Sequence, residues 1–225
     1  MLGDLHLSLG TDKAMDIFKG WDGYVDKITE NWNATVGDSD TVVINGDISW
    51  AMSLENTERD FSFINNELKG YKIFIKGNHD YWWTTKSKMD AFLNAKGFDK
   101  IKILNNNAYL AEGISVCGTR GWINDDSAPF DAKLLNREAI RLEMSVKEGQ
   151  KLGGTPIAFL HYPPIFGNEK NYYMLDVMEK CGITHCYYGH VHGAAVKKAF
   201  NGVYNGIEFR IASCDCVNFT PVLVK

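Results

Sequence analysis

The chain has 225 residues, of which 45% are hydrophobic and 23% charged, and its formal net charge is −4 at pH 7. A chain of this length and composition can bury one sizeable core, so we predict a single domain over residues 1–225. Basic residues are not clustered, which argues against tight binding of duplex nucleic acid. No apolar run approaches the roughly 18 residues of a membrane span. The five cysteines lack CxxC spacing and are typical of free thiols in the reducing cytoplasm.

Hydrophobic periodicity predicts that helices and strands alternate in the first part of the chain. Apolar residues between Phe18 and Trp32 recur every three or four positions, as on one face of an amphipathic helix, and predict a helix over 12–34. The elements predicted next are a buried strand over 41–45, a helix over 54–69, a strand over 71–76 and a helix over 84–94.

Strands gather in the second part of the chain. The predicted elements are strands over 101–104, 109–111 and 114–118, a polar loop over 124–131, a helix over 132–151, a strand over 157–160, a helix over 171–180, a strand over 183–188, and strand-like segments over 194–200, 207–212 and 222–224. This order suggests two packed sheets with helices outside them.

Five short motifs rich in histidine and aspartate each stand at or near the end of an apolar run. In chain order they are Asp4-Leu5-His6, Gly46-Asp47, Gly77-Asn78-His79-Asp80, His161, and Gly189-His190-Val191-His192. In open α/β sheets, ligand sites gather at the carboxyl ends of strands, so these motifs can converge on one rim. A sixth histidine, His185, lies within a predicted strand, and we expect it to be structural.

The donor types in these motifs favour transition metals. Imidazole nitrogens and carboxylate or amide oxygens without thiolates suit manganese, iron, zinc or nickel better than calcium or magnesium. Asp47 is the candidate bridge between two metals, because Gly46 allows close approach and one carboxylate can span ions about 3.5 to 4 Å apart. Asp4 and His6 are separated by one residue, so both can point to the same side of an extended segment.

The ordered motif set resembles the calcineurin-like metallophosphoesterase family, and the resemblance runs from residue 4 to residue 192. It implies an α/β fold, a four-layer αββα sandwich of two mixed sheets with helices on both outer faces, and a site at the C-terminal ends of strands. It also implies two divalent metal ions. The residues that match the family's ligands to the first metal are Asp4, His6, Asp47 and His192, and those that match its ligands to the second are Asp47, Asn78, His161 and His190.

The resemblance further implies hydrolysis of a phosphomonoester or phosphodiester in a phosphorylated small molecule or nucleotide. A metal-bound hydroxide would attack phosphorus, and both metals would absorb charge on the phosphoryl oxygens. His79 matches a residue that is not a ligand but contacts the phosphoryl oxygen or protonates the leaving alkoxide, and we expect Asp80 to orient and charge it. The alternative is a non-catalytic scaffold for protein binding, against which the presence of His79 and every ligand argues.

One departure from the family concerns the first strand. Members have four or five apolar residues before the Asp-x-His motif, whereas only residues 1–3 precede Asp4 here. A strand this short predicts weak support for Asp4 and His6, and so for the first metal.

Three residues outside the motif set are candidates for substrate contact. Trp50 and Tyr81 follow two of the motifs and can form an aromatic wall for a nucleobase or aryl group, or simply pack within loops. Arg120 follows a predicted strand and can grip a phosphate with two hydrogen bonds, or lie on the surface as most arginines do. The sequence indicates no particular oligomeric state.

Overall fold

The computed structural model describes residues 1–122 and 131–224. The helices are α1 (Tyr24–Thr35), α2 (Glu58–Asn66), α3 (Lys86–Lys96), α4 (Ala132–Leu152) and α5 (Tyr172–Lys180). The strands are β1 (Thr41–Ile44), β2 (Tyr71–Phe74), β3 (Ile101–Ile103), β4 (Tyr109–Ala111), β5 (Ile114–Thr119), β6 (Thr155–Leu160), β7 (Ile165–Phe166), β8 (Glu169–Lys170), β9 (His185–Tyr188), β10 (Gly202–Tyr204) and β11 (Ile207–Ile211). Except for Asp131, the polar loop predicted over 124–131 lies outside the described residues.

Two sheets form the centre of the fold. The first has the order β1-β2-β3, with all three strands parallel. The second has the order β10-β11-β9-β6-β5-β4, in which the four inner strands are parallel and the two edge strands antiparallel. Parallel strands buried on both faces explain the nearly continuous apolar runs in the sequence.

Apolar side chains divide into three clusters that separate four layers. Between the sheets lie Val43, Ile73, Val116, Ile157, Phe159 and Tyr187. The outer face of the first sheet packs on α1, α2 and α3, and the outer face of the second packs on α4 and α5. On β1, Val43 faces the second sheet while Val42 and Ile44 face the helices, as the two-residue period of a strand requires. The predicted αββα sandwich is therefore confirmed.

Three predicted elements differ from the structure. Residues 222–224 form no strand, although Val222 exchanges backbone hydrogen bonds with Met1. The helix predicted over 12–34 begins only at Tyr24, because Gly20 and Gly23 adopt left-handed backbone angles (φ 92° and 60°) that interrupt a helix. The strand predicted over 194–200 is wrong, because Gly193–Lys198 form a 3-10 helix. Its first N–H is held by the side chain of Asp215, a contact that a local sequence pattern does not reveal.

The first three residues join the two sheets. Leu2 exchanges backbone hydrogen bonds with Val43 and Asn45 beside β1, while Gly3 exchanges them with Ala212 and Cys214 beyond β11. Asp4 follows directly and is fully buried. The predicted weak support for the first motif is therefore wrong, because both sheets hold the segment that carries it. Within the described residues, no helix has the length and apolar character needed to cross a bilayer.

Candidate metal centre

The five motifs meet at the C-terminal rim of the two sheets. Two groups of side chains each bring their potential ligand atoms within 4.8 Å of one another: Asp4, His6 and His192 form the first group, and Asp47, His161 and His190 form the second. The amide oxygen of Asn78 adjoins the second group, 2.7 Å from His161 Nε2. All seven residues predicted as ligands thus come together at this rim.

Tight backbone crossings hold the motifs in place. Asp4 and His6 adopt left-handed φ angles of 62° and 46°, and their N–H groups donate to the carbonyls of Gly46 and Asp47. Residues other than glycine rarely adopt such angles, and those that do are concentrated at active sites and ligand-binding sites. A Cβ on Gly77 would overlap the backbone nitrogen and Oδ1 of Asp47, so only glycine fits there.

The first group contains a buried nitrogen atom that lacks a hydrogen-bond partner. His192 directs Nδ1 to Asp215 Oδ1 at 2.8 Å. Its Nε2 is buried 3.4 Å from Asp4 Oδ1 and has no hydrogen-bond partner among the described residues. In a metal-binding histidine, one ring nitrogen usually donates to a carboxylate and the other faces the metal. His192 has this arrangement, with Asp215 on one side and Asp4 on the other.

The second group gathers several polar atoms around one nitrogen. His161 is fully buried, and its Nδ1 lies 2.8 Å from the carbonyl oxygen of Asn45. Its Nε2 lies 2.7 Å from Asn78 Oδ1, 3.2 Å from His190 Nδ1 and 3.5 Å from Asp47 Oδ2. One proton cannot satisfy all three neighbours, whereas a cation among them would.

Asp47 lies between the two groups. Its Oδ2 is 3.5 Å from His161 Nε2 in the second group and 3.8 Å from His6 Nε2, which belongs to the first. Its Oδ1 accepts a hydrogen bond of 2.8 Å from the backbone nitrogen of His79. This position suits the predicted bridging role.

The electrostatics of the rim favour a bound cation. Burial lowers the pKa of His6 and of His190 to about 3, so both rings are neutral and able to act as ligands. Burial and the neighbouring carboxylate of Asp4 raise the pKa of Asp47 to about 8. Burial opposes a charge on His192, but Asp4 and Asp215 outweigh it and raise its pKa to about 10. Two carboxylates in a dry site thus repel each other and attract positive charge, which divalent metals would supply.

His79 lies at the edge of this centre and is not one of its ligand groups. Its ring centroid is 4.5 Å from that of Trp50, and its Nδ1 is 3.3 Å from the hydroxyl of Tyr81. The ring is half-buried, and burial lowers its pKa. This placement is compatible with the prediction that His79 faces the substrate while the other histidines of the motifs bind metal.

Asp80 does not make the predicted contact with His79. Its Oδ2 accepts from Gly77 N at 2.7 Å, and its Oδ1 accepts from Ile48 N at 2.8 Å and from Trp82 Nε1 at 3.1 Å. No hydrogen bond from Asp80 to His79 is found within the described residues. Neighbouring side chains of a tight turn point in different directions, so Asp80 and His79 do not meet. The fully buried carboxylate of Asp80 instead connects the loop after β2 to the loop after β1.

The three candidate substrate residues lie in different surroundings. Trp50 stacks on the ring of His6, with centroids 5.0 Å apart, and Tyr81 is 53% exposed beside His79. The backbone carbonyl of Arg120 accepts from His161 N, so this arginine lies on the side of the second group. Trp50 and Tyr81 therefore flank one side of the centre and Arg120 another.

Two residues outside the predicted set orient candidate ligands: Asp215 contacts Nδ1 of His192, and the carbonyl oxygen of Asn45 contacts Nδ1 of His161. Asp215 stands just beyond β11 and Asn45 just beyond β1. The available signal was a polar residue directly after a buried strand for Asn45, and a carboxylate four residues past the end of β11 for Asp215.

The chain is similar to one known family and to two solved structures. A family model described as calcineurin-like phosphoesterase matches residues 1–194. A solved structure of a protein of unknown function from Aquifex aeolicus is 18% identical, with 98% of this chain and 92% of that chain covered and a TM-score of 0.48. The structure of TT1561 from Thermus thermophilus is 13% identical, with 84% and 83% covered and a TM-score of 0.55, which indicates a shared fold only. None of the curated proteins matches the chain.

The family match confirms the resemblance predicted from the motifs. It spans all seven predicted ligands together with His79 and Asp80. The chain belongs to the calcineurin-like phosphoesterase family.

Proposed function

We propose that this protein is a dinuclear metal-dependent phosphohydrolase that acts on a phosphomonoester or phosphodiester. The observation that carries the proposal is the buried Nε2 of His192, which makes no hydrogen bond with the described residues and faces Asp4 Oδ1 at 3.4 Å, beside a second group of potential ligands. When bound, two divalent transition metals would activate water near neutral pH and neutralise charge on the phosphoryl oxygens. Manganese, iron, zinc and nickel all suit the donor set.

The ligand roles follow from the two groups. Asp4, His6 and His192 would hold the first metal, and Asn78, His161 and His190 the second, with Asp47 shared between them. Asp215 and the carbonyl of Asn45 would keep two of the imidazoles in the tautomer that binds metal.

His79 would act as the general acid. It stands outside the ligand groups, and Tyr81 and Trp50 position its ring from two sides. Burial lowers the pKa of this ring, and a phosphoryl anion beside it would raise that pKa again, towards the range in which a histidine delivers a proton to a leaving alkoxide. With Asp80 bonded to backbone N–H groups, the substrate itself would be the anion that favours the charged ring.

Trp50 and Tyr81 would contact the leaving group, and the substrate would be a phosphorylated small molecule or nucleotide. The family acts on phosphorylated substrates, and these aromatic rings adjoin the proposed acid. A single domain in the cytoplasm remains our prediction, supported by five free cysteines.

The test is hydrolysis of an aryl phosphate and a bis-aryl phosphate by protein loaded with manganese, iron, zinc or nickel. We expect turnover by the wild type, and we expect His79→Ala to keep both metals but lose about 100-fold to 10,000-fold in kcat. His185→Ala is the matched control, because that ring contacts only Thr184 and Glu208 in the described part of the chain. Metal loss in His79→Ala would contradict its role. A protein that binds two metals yet hydrolyses neither ester would instead support the scaffold alternative.

A further inference from the structure

A cavity of about 410 Å³ lies beside two of the segments that carry proposed ligands. Lys76, Thr85, Asn105, Arg120 and Arg141 are among the residues that line it. Lys76 stands immediately before Gly77-Asn78 in the chain, and the carbonyl of Arg120 accepts from the backbone nitrogen of His161. Two residues of the cavity wall are therefore directly linked to segments that carry proposed ligands, one along the chain and one by a hydrogen bond.

Three cations line this cavity. Among the described residues, Glu138 is the carboxylate that pairs with two of them, and the carboxylate of Asp80 acts on Lys76 from farther away. Glu138 is fully buried, and its Oε1 accepts from Arg141 Nη1 at 2.8 Å and lies 3.9 Å from Arg120 Nη2. The other oxygen of Glu138 accepts from the hydroxyl of Thr119 at 2.7 Å. Glu138 thus holds both guanidinium groups at the wall of the cavity but offsets only one of the positive charges there.

Two of the cations retain unused hydrogen-bonding capacity. The Nε of Arg120 is buried without a hydrogen-bond partner in the parts of the chain that the structure describes. Over those same parts, the side chain of Lys76 has neither a hydrogen bond nor an ion pair. Buried donors without partners are costly in a folded protein, and clustered guanidinium and ammonium groups are the usual recognition elements for phosphate.

We propose that this cavity binds a phosphate group of the substrate other than the one that is hydrolysed. Three cations opposed by Glu138, with Asp80 acting on Lys76 from farther away, leave an excess of about one to two positive charges, which matches a phosphate group. The inference rests on the proposed function, since it names the class of substrate that the same site takes, a compound with two separate phosphate groups.

The test compares alkanediol bisphosphates of increasing chain length with the alkanediol monophosphates of the same length. With the metal-loaded protein, we expect at least one bisphosphate to exceed its monophosphate about 10-fold or more in kcat/KM. Lys76→Ala and Arg141→Ala should each lower this preference about 10-fold to 100-fold, because each removes a charge-assisted contact. Arg137→Ala is the matched control, because this neighbour of Glu138 is 55% exposed and does not line the cavity. Arg141→Ala removes a partner of the buried Glu138. If that variant does not fold, Lys76→Ala alone tests the inference.

The possible outcomes separate this inference from the proposed function. Hydrolysis of monophosphates with no preference for any bisphosphate would overturn the inference and leave the phosphohydrolase proposal intact. If neither ester is hydrolysed, calorimetric binding of the same pairs of compounds to the metal-loaded protein decides the question without turnover. A bisphosphate preference that is lost in Lys76→Ala would then support the cavity, and equal affinities would overturn it. A stronger preference for carboxyalkyl phosphates than for bisphosphates would overturn the assignment to phosphate.

Discussion

Replacing Asp80 by alanine tests whether this carboxylate supports the loops of the site or serves the general acid. In the structure it accepts hydrogen bonds from Gly77 N, Ile48 N and Trp82 Nε1 at 2.7 to 3.1 Å, and a longer one from Ser49 N at 3.3 Å. Alanine removes every acceptor and leaves these donors facing a small cavity in the protein interior.

The expected loss of stability follows from the donors left unpaired. A buried donor without a partner costs about 1–3 kcal/mol. Burial and the nearby Asp47 also raise the pKa of Asp80 to about 7, so removing the carboxyl group recovers part of its desolvation free energy. We therefore expect Asp80→Ala to lower the free energy of unfolding by about 2–4 kcal/mol. Asp80→Asn keeps one acceptor oxygen and should cost about half as much.

The assay is urea unfolding of the metal-free protein, followed by metal titration and kinetics. Asp176→Ala is the control, because Asp176 is exposed on α5 and its loss should change stability by less than about 0.5 kcal/mol. If Asp80 only supports the loops, its variants lose stability and metal affinity, and turnover at saturating metal recovers substantially. An Asp80→Ala protein with wild-type stability and metal affinity but about 100-fold lower kcat would refute this reasoning, and would favour direct assistance of His79 instead.

Three further changes test the site and the fold. Asp215→Asn should lower the affinity for one of the two metals about 10-fold or more, because His192 loses the carboxylate that orients it. Competition with a chelator measures this affinity. Gly77→Ala should abolish metal binding by displacing Asp47, whereas Gly97→Ala, in open space at the end of α3, should not. Burial lowers the pKa of Lys72 to about 8, so between about pH 8 and pH 10.5 the unfolded chain binds more protons and stability should rise with pH. In Lys72→Met, the free energy of unfolding should not show this rise of about 1–2 kcal/mol. Urea unfolding at several pH values within that window measures the rise.

The order of elements was largely predictable because burial imposes a strong period on the sequence. In α4, Leu135, Ala139, Leu142 and Val146 recur at the helical period, and all four are buried. Where the period is weak, the prediction failed. The segment over 194–200 has small and charged residues without alternation, and a contact from Asp215 that is distant in sequence determines its conformation.

The seven candidate ligands could be located for a different reason, since each belongs to a short motif of histidine, aspartate or asparagine that the fold brings to one rim. The residues that orient them could not be located in this way. Asp215 contacts His192 across 23 positions of sequence, and only the pairing of β9 with β11 brings the two loops together. Parallel neighbours in a sheet end at the same rim, so a polar residue after the neighbouring strand is the signal to search for in such sites.

Adjacency in sequence misled the prediction for Asp80 because a tight turn separates the directions of neighbouring side chains. The true contacts have a consequence for the whole site. Asp80 binds the loop of Gly77 to that of Ile48, and His79 N donates to Asp47 Oδ1 between the same two loops. The proposed bridging ligand and the proposed acid are thus parts of one hydrogen-bonded unit. A change to either loop should therefore lower metal affinity, and turnover with it until metal saturates the site, whereas a change confined to the His79 ring should lower turnover at any metal concentration.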